Sequence, residues 1–158
     1  MRRKDREITD REQILEILEN AKVLRLGLFD DEYPYVVPLH YGFTFRDGKL
    51  AFYAHGAQEG LKLDLIRRNP KVCVELDLGA TLVPAGESAC RYGASYASII
   101  ARGTAVVLED HEEKRRGLEL LMKNQTGRGF EFDDRAVASV AVVRIDATSY
   151  SAKARLGN

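Results

Sequence analysis

The first half of the chain alternates between apolar and polar residues in a way that predicts β-strands. Val23–Leu28 alternates, and Tyr33–Phe43 is rich in aromatic and β-branched residues. Phe29–Glu32 between them is turn-like, and Arg46–Lys49 contains the Asp-Gly pair that favours a tight hairpin. Leu50–Ala54 then returns as a third strand. Two successive hairpins of this kind predict an antiparallel meander.

Three further strands are predicted in the second half of the chain. Val72–Leu76 is short and mostly apolar, whereas Ser95–Leu108 is long, with Gly103 expected to mark a bulge or bend. Val137–Ile145 forms the last predicted strand. Residues 78–93 are rich in glycine and contain a proline, so we predict an irregular loop there.

Apolar residues at helical spacing predict three helices. The first begins near Thr9, where Thr-Asp-Arg-Glu has the form of a capping box, and stops at Asn20. A second spans Ala57–Asn69 and ends before Pro70. A third runs from Asp110 to about Lys123, and its acidic first turn suits the positive end of the helix dipole.

The resulting order is α-β-β-β-α-β-β-α-β, which has too few strand–helix alternations for a doubly wound sheet. Six strands joined mostly by hairpins favour a mainly β fold, a small antiparallel barrel with flanking helices. We assign the whole chain, residues 1–158, to one domain. It carries neither a Rossmann glycine fingerprint nor a P-loop, so a nucleotide would have to be held in another way.

The charge balance, hydropathy and cysteine content of the chain argue against several classes of function. Lys and Arg total 24 and Asp and Glu also total 24, a balance that argues against a general nucleic-acid binder. No apolar run approaches the ~18 residues that span a bilayer, and no signal peptide is recognisable at the N-terminus. Cys73 and Cys90 lack metal-site spacing, and we expect free thiols in a cytoplasmic protein. His40, His55 and His111 are too far apart in sequence to predict a metal site.

Two residues around the second helix carry candidate chemistry. Lys62 falls in the opening turn, where free N–H groups, an ammonium and nearby small residues such as Gly56 can hold a phosphate. The alternative is an ordinary exposed lysine. His55 lies where a strand joins this helix and could hydrogen-bond a ligand or move a proton near neutral pH. The alternative is an imidazole that only satisfies local backbone groups.

Two further residues are unusual for strands. Pro38 cannot donate to a ladder, so it belongs at an edge or bulge, where neighbouring backbone groups are free to bind a flat heterocycle. An edge strand without function explains it equally well. Ser98 places a hydroxyl in an apolar strand, where it could contact a ligand or bond within the sheet.

Five segments together resemble one family: YPYVVPLHYGF, HGAQEGLKLDLIRRNPKVCVELD, ASYASIIARGTAVVLEDHEEK, VVRIDATSYSAK and the opening MRRKDREITD. The H-x-A-x-x-G-x-K and Y-x-S-[IV]-I-x-x-G stretches carry most of the match. The chain resembles the FMN-binding split-barrel proteins related to pyridoxamine 5'-phosphate oxidase, and among them the nitroimidazole-resistance (Nim-type) group. The resemblance covers about residues 1–153.

This resemblance implies a homodimer of six-stranded split β-barrels with FMN in the clefts between subunits. Backbone groups would line the edge of the flavin ring, further residues would hold the phosphate and ring region, and a later strand would complete the site. The residues matched to those roles are Val37, Pro38, Leu39, His55, Lys62, Ser98 and Ile99. His55 is also the one candidate for a catalytic proton donor.

The family points to an FMN-dependent oxidoreductase. We expect electrons from a nicotinamide donor to reach a small electron-poor acceptor such as a nitroaromatic or quinone. The alternatives are a flavin- or heme-binding module without turnover, a deazaflavin protein, and a dimeric scaffold with an empty cleft. A pyridoxamine-phosphate oxidase is disfavoured, because the family's true oxidases carry an Arg/Lys pair where this chain has Leu61 and Lys62.

Overall fold

The computed structural model describes residues 3–155, apart from the side chain of residue 80. The strands are β1 (Glu7–Ile8), β2 (Val23–Phe29), β3 (Pro34–Arg46), β4 (Lys49–Gly56), β5 (Lys71–Val83), β6 (Gly93–Val107) and β7 (Ala141–Arg155). The helices are α1 (Arg11–Asn20), α2 (Leu61–Arg68), α3 (His111–Thr126) and α4 (Asp134–Ala138).

Six of these strands close into an antiparallel barrel. The sheet order is β1-β7-β4-β3-β2-β5-β6, and β6 also pairs with β7, which closes the ring. The short β1 lies outside the ring and pairs with the far end of β7. The predicted mainly β class and six-stranded antiparallel split barrel are therefore confirmed.

The barrel interior is filled by alternate residues of each strand, as a closed sheet requires. Tyr41 and Phe52 are fully buried there, and their rings meet edge to face with centroids 5.7 Å apart. The Tyr41 hydroxyl donates to the carbonyl of Leu18 at 2.8 Å. This bond ties α1, which buries Ile14, Ile17 and Leu18, to the barrel core.

Two helix starts differ from the prediction. Asp10, not Thr9, caps α1, since its carboxylate accepts the Gln13 N–H at 2.9 Å and a carboxylate satisfies that donor as well as a hydroxyl would. The second helix starts at Leu61 instead of Ala57, because Gly60 has φ 137° and cannot belong to a right-handed helix.

The predicted loop at 78–93 is wrong over its first part. β5 continues to Val83 and pairs with β6, with a register shift between Leu78 and Thr81. Gly79 has φ +71°, a conformation that does not fit a regular strand, and it lies within this irregularity. The strand resumes its pairing with β6 at Thr81.

The last strand also begins later than predicted. Val137 and Ala138 belong to α4 instead. The carboxylate of Asp133 caps the N-terminus of this helix by accepting the Ala136 N–H at 2.7 Å. The bulge expected at Gly103 is confirmed by a register shift between Arg102 and Gly103.

Helix α3 packs across the outer face of β3, β4 and β7 at a distance that only glycine permits. A Cβ at Gly42 would overlap the backbone of α3 at Leu120 and Leu121. A Cβ at Gly117 would lie 2.9 Å from Val142 Cγ1. This contact forms a second apolar cluster, made of Leu108, Leu118, Val137 and Val142.

None of the helices in the described part of the chain combines the length and the hydropathy needed to cross a membrane.

We predict that Gly42→Ala lowers the free energy of unfolding by roughly 1–3 kcal/mol, because backbone atoms of α3 must move to admit the methyl group. Urea denaturation measures the change. Gly129→Ala is the matched control, since nothing lies within 4 Å of the added Cβ there. Equal stability of the two variants would show that α3 does not need this close approach.

Candidate functional site

The barrel wall is open between the first half of β3 and the end of β4. Residues 41–46 of β3 pair with β4, whereas residues 34–40 pair with β2 on their other side. β4 ends at Gly56 and the chain turns away to α2. Within residues 3–155, no strand pairs with the second edge of residues 34–40. Backbone N–H and C=O groups at this edge are therefore free to bind a ligand.

Lys62 folds back onto this opening. It is the second residue of α2, and a Cβ built on Gly56 would lie only 2.7 Å from its Nζ. The missing side chain at Gly56 is what allows the ammonium to approach the end of β4. Lys62 is half-buried, and no carboxylate of the described residues lies within 4.0 Å of its ammonium. The result is a localised positive charge without a protein counterion.

The start of α2 adds free hydrogen-bond donors. Gly60 precedes the helix and contributes no side-chain cap. The N–H groups of Leu63 and Asp64 bond to the Gly60 carbonyl, at 2.9 and 3.4 Å. The first two amides of the helix, at Leu61 and Lys62, have no helical partner. Together with the Lys62 ammonium they form a cradle suited to an anion.

His55 and His40 lie beside this cradle. The Tyr41–Ala54 pairing of β3 with β4 places His40 opposite His55 when it is continued by one residue. Burial, the His40 imidazole and the Lys62 ammonium lower the pKa of His55 below its ordinary value of 6.5. The neutral imidazole therefore predominates at pH 7. His40 is oriented by its Nδ1–H, which donates to the Lys22 carbonyl at 3.2 Å.

Of the predicted β3 residues Val37, Pro38 and Leu39, the main chain faces the open edge and the side chains point to the core or to the outer face. Val37 and Leu39 are half-buried and pack against the barrel core. Pro38 is exposed on the outer face, opposite Arg25 of β2. A flat ligand at this edge would meet main-chain groups.

Ser98 and Ile99 lie elsewhere in the same chain. Both belong to β6, where Ser98 is opposite Asp77 of β5 and Lys153 of β7. Both residues are buried, Ser98 with 8% of its surface exposed and Ile99 with 0%. One chain therefore groups His55, Lys62 and the 37–39 edge, and leaves Ser98 and Ile99 on another wall of the barrel.

The sequence analysis did not include His40 in the site. The sequence contained a signal for it, because facing residues of a hairpin lie equally far from the turn. The Asp47-Gly48 turn pairs Tyr41 with Ala54, so the next residues outward, His40 and His55, lie opposite each other. No comparable sequence pattern indicates that α2 begins after Gly60 without a side-chain cap. No group of three or more His, Cys, Asp or Glu side chains in residues 3–155 has the geometry to hold a metal ion.

Comparison with known proteins agrees with this architecture. Residues 10–154 match the model of the family described as pyridoxamine 5'-phosphate oxidase. The chain matches none of the curated proteins.

Solved structures with the same fold include a putative 5-nitroimidazole antibiotic resistance protein from Bacteroides thetaiotaomicron. It is 33% identical over 94% of this chain and 86% of its own, with a TM-score of 0.79. The flavocytochrome Anf3 from Azotobacter vinelandii also has a TM-score of 0.79, with 22% identity over 99% of this chain and 72% of its own. An FAD and heme binding protein from Mycobacterium smegmatis has the same TM-score, with 20% identity over 96% and 74%.

The family match covers nearly the whole chain, and the barrel is the one that the sequence resemblance implies. The chain therefore belongs to the split-barrel family related to pyridoxamine 5'-phosphate oxidase.

Proposed function

We propose that the protein is an FMN-dependent oxidoreductase. The observation that carries this proposal is the unpaired Lys62 ammonium, held over Gly56 beside the uncapped start of α2 and the open edge of β3. A phosphate and a flat heterocycle joined by a short chain are the two groups that such a junction accommodates. The family match supports a flavin over other phosphorylated ring compounds.

The phosphate would be bound by the Lys62 ammonium and the first amides of α2. Charge-assisted hydrogen bonds of this kind are shorter and about twice as strong as neutral ones. Because Gly56 has no side chain, the phosphate can reach both sets of donors from one direction. These groups bind and orient the cofactor, and take no part in electron transfer.

The ring would lie along residues 37–39 of β3. Backbone N–H groups aimed at the ring edge stabilise negative charge that develops there, since they are fixed before the reaction and need no reorganisation. FMN, when bound, supplies the hydride chemistry. The residues of the chain place the ring, exclude water from one face and set the polarity of its edge.

His55 is the group in this site that can move a proton at neutral pH. Its imidazole is neutral at pH 7 and can take up a proton from a reacting group, and the lowered pKa makes the protonated form a ready proton donor. His40, in the facing position of β3, is oriented by its bond to the Lys22 carbonyl.

The proposed reaction takes electrons from a nicotinamide donor to a small electron-poor acceptor. The 33% identity to a putative 5-nitroimidazole antibiotic resistance protein supports a nitroaromatic as acceptor, and a quinone has the same electron demand. We place this activity in the cytoplasm, where Cys73 and Cys90 would stay reduced; both are exposed and free.

A homodimer would complete the site. The outer faces of β2, β5 and β6 are not among those that α3 covers. Exposed apolar residues lie on these faces and on the first half of β3: Phe29 is 60% exposed, Val36 59% and Ile100 43%. Ser98 has the same strand parity as Ile100 but is only 8% exposed. If this face joins two copies, Ser98 and the backbone of Ile99 from a second copy can approach the open edge of β3.

A second candidate function is a flavin- or heme-binding module without turnover. The fold shared with a flavocytochrome and with an FAD and heme binding protein supports it. Both candidates predict pigment, and they differ in whether an acceptor speeds oxidation of the donor.

We expect the purified protein to be a dimer of its 17.7 kDa chain and to show flavin absorbance, either as isolated or after addition of FMN. With NAD(P)H present, a nitroaromatic or quinone should increase the rate of donor oxidation. Absorbance spectroscopy, light scattering and a donor-oxidation assay test these three statements. Flavin or heme absorbance without turnover would favour the binding module, and a colourless protein that ignores added FMN would contradict both candidates.

We predict that Lys62→Met weakens FMN binding by roughly 1.5–3 kcal/mol, because one charge-assisted bond to the phosphate is lost. Fluorescence titration of the apoprotein measures the dissociation constant. Riboflavin, which lacks the phosphate, should bind both proteins equally. Lys49→Met, at the opposite end of β4, serves as the matched control. Unchanged FMN affinity in Lys62→Met would remove this lysine from the site.

The lowered pKa of His55 predicts a pH dependence of FMN affinity. A bound phosphate offsets the positive charge of Lys62, so the pKa of His55 should rise and binding should take up a proton. FMN affinity should then increase as pH falls from 7 through about 6.5, the ordinary His pKa, towards 5.5. His55→Gln should lose this increase and keep only the titration of the phosphate itself. Parallel pH profiles for the two proteins would place His55 away from the phosphate.

A further inference from the structure

A cavity, which we call the Lys114 cavity, lies between α2, the start of α3, the end of β6 and the start of β7. Its volume is about 620 Å³. The lining residues are Gln58, Ile66, Arg67, Pro70, Ala105–Glu109, Lys114, Val140 and Ala141. His55, Lys62 and residues 37–39 are not among them, so the cavity is separate from the proposed flavin site.

Lys114 occupies an apolar position of its helix. The buried face of α3 consists of Lys114, Gly117, Leu118 and Leu121, at the spacing of a face that packs on a sheet. Lys114 is only 8% exposed, and lysine is rarely buried to this extent unless it is paired. Yet in residues 3–155 its ammonium makes no hydrogen bond and no carboxylate lies within 4.0 Å of it.

The Lys114 ammonium is nevertheless within reach of a ligand. No fully buried side-chain nitrogen or oxygen in the described chain lacks a hydrogen-bond partner. Since this ammonium has no partner there, it must keep some contact with solvent. Lys114 lines the cavity, so the cavity is the side from which a counterion would arrive.

The remaining walls indicate the kind of counterion. Arg67 is already paired with Asp64 at 3.3 Å. Glu109 carries a negative charge at the cavity and has no ion pair in the described part of the chain, which disfavours a dianion such as phosphate. Ile66 and Leu108 are 2% and 6% exposed, and they present apolar surface beside the ammonium. A single negative charge on an apolar body matches these walls.

We propose that the Lys114 cavity is a binding site for a small organic carboxylate. Its carboxylate group pairs with the Lys114 ammonium, and its apolar body packs against Ile66 and Leu108. The proposal does not depend on the flavin assignment.

Sodium benzoate is a suitable probe, titrated into the protein saturated with FMN and followed by ¹H–¹⁵N correlation spectra. We expect saturable shifts of the amides of Leu108 and Val140, which line the cavity, and none at His55 or Lys62. Lys114→Met keeps the length and apolar stem of the side chain, and should bind benzoate at least roughly tenfold more weakly because a charge-assisted pair is lost.

Lys123→Met on the exposed side of the same helix is the matched control and should bind benzoate like the wild type. Binding by Lys114→Met at wild-type affinity would overturn the proposal. So would wild-type spectra without saturable shifts at Leu108 and Val140. If Lys114→Met does not fold, the wild-type titration decides alone. Failure of FMN binding would leave this test intact, since it runs equally well on the protein without added flavin.

Discussion

The separation of β4 from β3 beyond Ala54 is the constraint on which the rest of the site depends. β3 is long enough to pair with β2 over residues 34–40 and with β4 only over residues 41–46. The chain turns away where β4 would otherwise cover the remaining edge. This change of chain direction has three consequences. It leaves a backbone edge of β3 exposed, α2 starts without a side-chain cap, and the Lys62 ammonium lies back over Gly56. In the proposed site, donors for a ring and donors for an anion come from these two neighbouring elements, β3 and the start of α2.

The outer surface of the barrel is divided between two roles. Gly42 and Gly117 let α3 approach β3, β4 and β7 closely, and this contact fixes the wall on which His40 and His55 lie. The outer face of β2, β5 and β6 has no such cover and exposes Phe29 and Ile100. These exposed apolar side chains are the feature on which the proposed homodimer rests.

Much of the fold follows from the sequence because strand alternation and the Asp-Gly turn are local signals. They place β2, β3 and β4, and the turn also sets the register that puts His40 opposite His55. What depends on distant contacts could not be predicted. Gly79 looks like a loop residue, yet pairing with β6 carries β5 through it to Val83. Ser98 lies in a recognisable motif, but its separation from Lys62 within one chain follows only from barrel closure.

The distribution of charge separates Lys62 and Lys114 from many other cations of the chain. Arg25 bonds to Glu75 and Asp77, Arg68 to Asp30 and Asp31, and Arg144 to Glu113 and Asp146. Such exposed pairs contribute little to stability, but they show that carboxylates are available to cations across the surface. Lys62 and Lys114 have no such partner in the described residues, and both are partly or largely removed from water. A charge kept unpaired against its desolvation cost is stabilised by a compensating partner, and in the two proposals made above that partner is a ligand.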